Sequence, residues 1–255
     1  EMAALARSVL VTGSNRGIGL ELVRQLAASP RPPLHIFATC RDPEGPRGKS
    51  RDPLVLSSTL LLAPSDTVNL PSIQGAVRAV ESHLKDQGLN LLINNAGISS
   101  HATLRSLDSQ EMLTVFATNA VGPLQVTKEF LPLLEKAAKG AGKEGLSCSR
   151  AAVINISTKL SSIGLCLGVL EAPMYPYRAS KAAQNMVTRC LAAELRAKGI
   201  LCTAIHPGWV KTAMGTQKAP LRVERSVRGV LTVLAGLSQD TSGAFLDWEG
   251  NSLPW

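Results

Sequence analysis

Ser8-Val-Leu-Val-Thr12-Gly13-Ser-Asn-Arg-Gly-Ile-Gly19 is the part of the sequence from which the architecture can be worked out. Its first five residues are apolar or β-branched, which predicts a short buried strand. The glycines at 13, 17 and 19 follow, and leucine and valine then recur at helical spacing. A strand, a glycine-rich turn and a helix form a dinucleotide-binding unit, because the turn lets the backbone approach a pyrophosphate and the helix N-terminus favours anions. The spacing differs from the commoner Gly-x-Gly-x-x-Gly, and a structural turn without a ligand is the alternative.

Residues 34–39 predict a second buried strand, and its exit carries an arginine and an acid, Arg41 and Asp42. In dinucleotide sites an acid at this place holds the ribose 2′-hydroxyl, whereas an arginine accommodates a 2′-phosphate. Arg16 projects from the glycine turn as well, so two guanidinium groups predict NADPH rather than NADH. Asp42 is the competing feature, and a turn residue before a proline is its other interpretation.

Further apolar segments alternate with helical patterns along the rest of the chain. This alternation predicts an α/β fold with one parallel, doubly wound sheet flanked by helices, in a single domain over residues 1–255. Residues 43–53 are rich in Pro, Gly, Lys and Arg and predict a loop. The remaining strands are expected within residues 54–63, 89–93, 151–156, 200–205 and 244–246.

Polar residues follow three of these strands where each one ends. Asn94-Asn-Ala-Gly97 follows the fourth strand, Ser157 and Thr158 follow the fifth, and residues 206–212 follow the sixth. Asn119 lies in a helical segment that Gly-Pro is expected to interrupt three residues later. Because ligands of open parallel sheets bind outside the carboxyl ends of the strands, these residues are expected to share one crevice.

Tyr177 and Lys181 lie four residues apart in a helical segment, so their side chains share one face of the helix. A neighbouring ammonium stabilises a phenolate and lowers the pKa of the phenol. The pair is therefore a candidate proton donor for a carbonyl oxygen or acceptor from an alcohol. A solvated helix with an amphipathic tyrosine is the alternative.

The composition limits the classes of ligand and partner that the protein is expected to bind. The net charge is +8 and the pI is near 9.5, but no run of five basic residues occurs and aromatic residues make up only 4%. A phosphate-bearing cofactor is therefore favoured over nucleic acid. Five cysteines without a Cys-x-x-Cys pair disfavour both a disulfide framework and a metal site. The absence of a signal pattern or membrane-length apolar run predicts a cytoplasmic protein without a membrane partner, and its buried thiols are expected to be Cys40, Cys190 and Cys202.

The chain contains, in this order, Thr12-Gly13-x-x-x-Gly17-x-Gly19, Asn94-Asn-Ala-Gly97, Asn119, Tyr177-x-x-x-Lys181 and Pro207-Gly208. The order and spacing of these motifs resemble those of the short-chain dehydrogenase/reductases. Within that family the chain resembles the sniffer-type carbonyl reductases and their C-factor-like relatives, through residues 85–90, 175–181, 206–212 and 253–255. The resemblance implies a Rossmann-type fold and NADPH-dependent reduction of aldehydes, ketones or quinones to alcohols.

The resemblance also implies roles for single residues. Tyr177 would donate the proton, while Lys181 would lower the pKa of Tyr177 and hold the nicotinamide ribose. Asn119 would anchor a water of the proton relay. Thr158 stands where the family usually has a second serine and would orient the carbonyl, with Ser157 as the reserve. The expected cofactor contacts are Gly13, Asn15, Arg16, Gly17, Ile18, Gly19, Arg41, Asp66, Asn95, Ala96, Gly97, Tyr177, Lys181, Pro207, Gly208, Val210 and Thr212.

Two other classes of function compete with a carbonyl reductase. One is a non-catalytic NADPH-binding sensor or scaffold, since a fold does not fix a function. The other is a nucleic-acid binder attracted by the positive charge, although a basic stripe is missing from the sequence. A homodimer is possible by resemblance, and the physiological substrate cannot be read from the sequence.

Overall fold

The structure, a computed structural model, describes residues 4–42, 60–140 and 145–255. Within these ranges, seven parallel strands form one sheet in the order β3-β2-β1-β4-β5-β6-β7. The predicted loop at residues 43–53 and the residues before the third strand lie outside the described ranges. The strands are β1 Ser8–Thr12, β2 His35–Cys40, β3 Leu60–Pro64, β4 Leu91–Asn94, β5 Ala152–Ile156, β6 Leu201–His206 and β7 Phe245–Asp247.

Helices cover both faces of this sheet. One buried cluster joins the sheet to α1 and α6, and a second joins its other face to α2, α4 and α5. The doubly wound α/β fold is thereby confirmed. The helices are α1 Gly17–Ala27, α2 Leu70–Leu84, α3 Ser109–Phe116, α4 Gly122–Gly140, α5 Tyr175–Leu195 and α6 Val223–Ala235.

The order of the strands reverses at β1, which has β2 on one side and β4 on the other. Chain connections leave this point in opposite directions, and the carboxyl ends of β1 and β4 therefore border a crevice. Strands from residue 8 to residue 247 share the sheet, and the single domain over residues 1–255 stays a prediction. Among the described residues no helix is long and apolar enough to cross a membrane, and no cluster of potential metal ligands occurs.

Two local expectations were wrong. Gly122 and Pro123 do not interrupt the helix, because they begin α4, and the irregularity is a π-helical turn just before them, Ala117–Val121. Proline fits there because the first helical residues have no intrahelical partner for an N–H group. The helix that carries Tyr177 begins at Tyr175. Cys190 is exposed, whereas Cys40 and Cys202 are buried as expected.

Candidate active site

The glycine turn after β1 packs directly on the exit of β4. Gly13 has a φ of +64°, and a Cβ atom there would lie 2.8 Å from the Cα atom of Ala96. A Cβ atom at Gly19 would lie 2.2 Å from the Gly13 carbonyl oxygen and 2.5 Å from Asn95 Nδ2. Only glycine allows this approach of backbone to backbone. The turn is therefore a close-packed structure whose shape depends on residues of two strands.

The N-terminus of α1 opens at this turn. Its capping position is Arg16, whose side chain makes no capping hydrogen bond, and the first turn contains no acidic residue. Helix N–H groups without a side-chain partner attract anions. Arg16 and Arg41 are both exposed, at the carboxyl ends of the neighbouring strands β1 and β2. The predicted phosphate-binding residues thus lie together at the carboxyl ends of the strands. Asn15 and Ile18 lie in the glycine turn beside Arg16.

Asn95 joins the exits of β1 and β4. Its backbone N–H and that of Ala96 both donate to Thr12 Oγ1, each at 3.1 Å. Asn95 Nδ2 donates to the backbone oxygens of Thr12, at 3.1 Å, and Gly13, at 3.2 Å. The Asn95 side chain, predicted as a cofactor contact, is thus used to fix the glycine turn, because both of its donor bonds go to that turn.

The neighbouring amide, Asn94, points into the protein and belongs to a buried polar network. Asn94 Nδ2 donates to Asn155 Oδ1 at 2.9 Å, and Asn155 Nδ2 donates to Thr188 Oγ1 at 2.9 Å. Thr188 lies on α5, so this network joins β4, β5 and the helix of Tyr177. The sequence analysis missed it, although three buried polar residues within apolar segments were a visible signal.

Asn119 lies in the π-helical turn and is fully buried. Its Oδ1 atom accepts from the Ile98 N–H at 2.9 Å, while Nδ2 donates to the Ile98 carbonyl oxygen at 2.8 Å and to Ser180 Oγ at 3.1 Å. π turns are frequent at functional sites, because the extra residue redirects a side chain. Asn119 therefore links the exit of β4 to α5, and its role as a water anchor stays a prediction.

Lys181 lies almost fully buried beside this residue. Its Nζ atom donates to the Ile156 carbonyl oxygen at 2.7 Å and to Gln184 Oε1 at 2.9 Å. A Cβ atom at Gly97 would lie 3.6 Å from Nζ and 3.2 Å from Asn119 Oδ1, so these three residues converge at the exit of β4. Burial lowers the pKa of Lys181 to about 8, because it disfavours the charged ammonium.

Tyr177 is half-buried, and its phenol lies beside the Thr158 hydroxyl. Burial raises the pKa of Tyr177 to about 12, and the neighbouring Thr158 hydroxyl opposes that rise. The expected lowering of this pKa by Lys181 is absent here, since Lys181 Nζ is bonded elsewhere and desolvation has the larger effect. In this arrangement Tyr177 holds its proton.

The two hydroxyl residues after β5 have different surroundings. Ser157 is buried, and its Oγ atom donates to Asn185 Oδ1 at 2.6 Å. Thr158 contacts Tyr177, and its Oγ1 atom also accepts from the Leu160 N–H at 3.2 Å. The geometry thus favours Thr158 over Ser157 as the hydroxyl that faces a reacting group.

The loop after β6 lies beyond these residues. After β6, Pro207 is followed by Gly208, with a φ of +90°, and by buried Val210, which pairs with Leu221. The Thr212 methyl lies 3.4 Å from a Cβ atom placed at Gly17, so this loop reaches the glycine turn.

Asp66 follows β3 and is partly buried. Its N–H donates to Ser72 Oγ at 2.9 Å, and its Oδ1 atom accepts from the Val68 N–H at 3.2 Å. The Ser65 N–H, one residue earlier, bonds to the Cys40 carbonyl oxygen at 2.9 Å. Asp66 therefore lies close to the exit of β2, at the carboxyl ends of the strands, where a cofactor contact was predicted.

The connection between Thr158 and Tyr177 is held by Arg178, which sequence reasoning missed. The Arg178 guanidinium donates to the carbonyl oxygens of Leu160, Leu167 and Ala172, at distances from 2.7 to 3.3 Å. Three acceptors spread over this connection, which we call the wall segment (residues 159–174), converge on one side chain. The wall segment also bonds to the last residues of the sequence, through Ser162 Oγ to the Pro254 oxygen at 2.7 Å and the Gly164 N–H to the Trp255 oxygen at 2.8 Å.

Comparisons with known proteins agree with this geometry. Residues 7–222 match the family model described as short chain dehydrogenase. The NADPH-bound carbonyl reductase from chicken fatty liver is 46% identical, with a TM-score of 0.95 over 100% of this chain and 97% of that chain. The carbonyl reductase Sniffer of D. melanogaster is 40% identical, with a TM-score of 0.92 over 98% of this chain and 100% of that chain.

The C-signal protein of Myxococcus xanthus is 36% identical over 180 residues, which are 70% of this chain and 100% of that protein. The predicted resemblance to sniffer-type carbonyl reductases and their C-factor-like relatives is thereby confirmed. The family match and these relatives agree with the glycine turn and with the side chains of Asn119, Thr158, Tyr177 and Lys181. The chain therefore belongs to the short-chain dehydrogenase family and is an oxidoreductase.

Proposed function

We propose that this protein is an NADPH-dependent carbonyl reductase that converts aldehydes, ketones or quinones to alcohols. The observation that carries the proposal is the position of the Thr158 hydroxyl beside the Tyr177 phenol at the carboxyl ends of the strands, with Lys181 on the same face of α5 as Tyr177. A carbonyl oxygen beside this pair meets two hydroxyl donors at once. Two donors stabilise the negative charge that develops on this oxygen during reduction.

The residues around the glycine turn fit a dinucleotide. The N-terminus of α1 has no side-chain cap and suits a pyrophosphate, and the backbone of Gly13 lies close to Ala96 beside it. The exits of β4 and β6, with Gly97, Pro207 and Thr212, would flank the nicotinamide. When bound, NADPH supplies a hydride to the carbonyl carbon. The NADPH in the chicken carbonyl reductase supports this assignment.

The preference for NADPH over NADH is assigned to Arg16 and Arg41. Both guanidinium groups are exposed at the ends of neighbouring strands, where a 2′-phosphate of the adenosine ribose would lie. Asp42 beside them is exposed too, and one carboxylate against two guanidinium groups leaves this edge positive. An arginine also forms bidentate bonds with a phosphate, which makes the preference specific.

Tyr177 would act as the general acid. Burial raises the pKa of its phenol to about 12, so Tyr177 is fully protonated at neutral pH and has a proton to donate. The Lys181 ammonium would return a proton to the phenolate after each turnover, through a water that Asn119 would anchor. Thr158 would orient the carbonyl oxygen, and Ser157 would support the wall segment through Asn185.

The substrate would contact the wall segment, because Thr158 and Tyr177 stand at its two ends. Its exposed side chains include Ile163, Leu165 and Leu167, which favours an apolar carbonyl compound over a charged one. A homodimer, a cytoplasmic location and the single domain over residues 1–255 remain predictions of composition and family resemblance.

The test is the oxidation of NADPH and of NADH with phenanthrenequinone, in the wild type and in Tyr177→Phe. We expect turnover that prefers NADPH and falls by on the order of a thousandfold or more in the variant. Tyr175→Phe is the matched control, because Tyr175 begins the same helix but is exposed and has no lysine four residues later. Tight NADPH binding without any turnover in the wild type would contradict the proposal and favour a sensor.

A further inference from the structure

The surroundings of the Lys181 ammonium contain a residue that no step so far has used. Lys181 Nζ donates to one backbone oxygen, that of Ile156, and to one side-chain oxygen, Gln184 Oε1. Within the described residues, Gln184 is thus the side chain that bonds to this buried cation. A buried ammonium stays charged only where oxygen acceptors replace water.

Gln184 is itself unusual for a helix interior. Its side chain is fully buried on α5, and in the described part of the chain its Nε2 group has no hydrogen-bond partner. A buried donor without a partner destabilises the fold, by about 1–3 kcal/mol for typical groups. Since an ammonium only donates, the Gln184 oxygen must face Lys181, and this leaves the amide nitrogen unpartnered. An apolar residue would avoid the cost, which indicates a role in the site.

We propose that Gln184 is a positioning residue that holds the Lys181 ammonium at the carboxyl end of β5 and keeps it charged beside Tyr177. The inference rests on the proposed function, in which a charged Lys181 supports proton donation by Tyr177. Gln184 lies three residues after Lys181, so both side chains share the face of α5 that packs on the sheet. Gln184 touches no reacting atom and acts only through Lys181.

The charge of Lys181 has a narrow margin, since burial lowers its pKa to about 8. No charged side chain of the described residues contributes to this shift. Tyr177 is the titratable residue one turn earlier on the same helix. The groups that face Lys181 from β5, from the π turn and from the exit of β4 are the Ile156 carbonyl, Asn119 and Gly97. Because Gln184 Oε1 accepts from the charged form, its removal lowers the Lys181 pKa further.

The experiment measures that pKa in the cofactor-free protein. Protein labelled with [ε-13C]lysine is titrated by NMR as wild type, Gln184→Met and Gln184→Glu, and Lys181→Ala assigns the signal. We expect the Lys181 pKa to fall by about one unit in Gln184→Met and to rise by about one unit in Gln184→Glu, where a carboxylate favours the ammonium. Thr188→Val is the control. It removes a buried hydroxyl one turn further along α5 that bonds to the Gln184 backbone oxygen but not to Nζ.

A Lys181 pKa that is equal in the wild type and both Gln184 variants would overturn the inference. If Gln184→Met does not fold, Gln184→Glu carries the same test, because it keeps the shape and changes the charge. The pH profile of quinone reduction should move in the direction of the Lys181 pKa. Wild-type protein without turnover would refute the proposed function and leave the NMR result standing, whereas turnover with an unmoved pKa would refute the role of Gln184 alone.

Discussion

The close contact at Gly19 allows a prediction with a definite size. A Cβ atom in Gly19→Ala would lie 2.2 Å from the Gly13 carbonyl oxygen and 2.5 Å from Asn95 Nδ2. The glycine turn must therefore move by about 1 Å, and such overpacking typically costs about 1–3 kcal/mol. The Asn95–Gly13 hydrogen bond is lost, at about 1 kcal/mol, while alanine favours the helix by up to about 1 kcal/mol.

We expect Gly19→Ala to lower the free energy of unfolding by about 2 kcal/mol and the Tm by roughly 4–8 °C. NADPH binding should weaken by at least about tenfold, because one lost hydrogen bond to a charged phosphate has this effect. Urea unfolding followed by circular dichroism and a fluorescence titration with NADPH measure the two quantities. Gly140→Ala is the matched control, since a Cβ atom at this end of α4 meets nothing within 4 Å. Equal stability and equal NADPH affinity in both variants would refute the reasoning.

Three further predictions concern single side chains. Burial lowers the pKa of His206 to about 4. The unfolded chain therefore binds a proton at His206 at a higher pH than the folded protein does. The free energy of unfolding is unaffected by this group above the unfolded pKa of about 6.5, and it falls by up to about 3 kcal/mol as the pH drops toward 4. Urea unfolding of His206→Gln should show a flatter loss over this range, and a slope equal to that of the wild type would contradict the assignment. Arg178→Met removes the bonds to the wall segment, so the KM for a bulky quinone should rise about fivefold while kcat for a small dicarbonyl changes little. Equal KM values would show that the wall segment keeps its shape without Arg178. Arg41→Ala should reduce the preference for NADPH over NADH by about tenfold, as measured by the ratio of kcat/KM values, because one charged phosphate contact is lost. An unchanged ratio would mean that Arg41 does not meet the 2′-phosphate.

The sequence predicted the sheet because its strands are apolar and each ends at polar or glycine residues. The bounds of the fourth to seventh strands differ by one or two residues from the expected ones, as at β4, Leu91–Asn94. The π turn around Asn119 was not predictable, because its cause is tertiary: the Asn119 amide bonds to Ile98 and Ser180, far away in sequence. The local pattern predicts a break at the neighbouring Gly122-Pro123. The structure shows instead that these two residues begin α4.

Candidate site residues were predictable where they belong to a recognisable sequence motif. They were not predictable where their role depends on contacts that form only in the folded protein. The spacing of Tyr177 and Lys181 is visible in one helix turn, and Thr158 could be named from its place after β5. Arg178 and Gln184 stand in the same helix with nothing in their spacing to mark them. Their partners are backbone oxygens of a loop and a buried ammonium, and both depend on how the chain folds back. The direction of the Tyr177 pKa shift was missed for the same reason, because desolvation is invisible in a sequence.

The Asn119 side chain has a consequence for the local opening of the molecule. The Ile98 amide hydrogen is held by a side-chain oxygen of a distant turn and not by a strand or helix ladder. Amide hydrogens exchange with solvent when their acceptor moves away, with a free energy that measures the local opening. Deuterium uptake at Ile98 therefore reports on the separation of the β4 exit from α5. A ligand that bridges the two should slow uptake at this single position, even when the rest of the sheet shows no change.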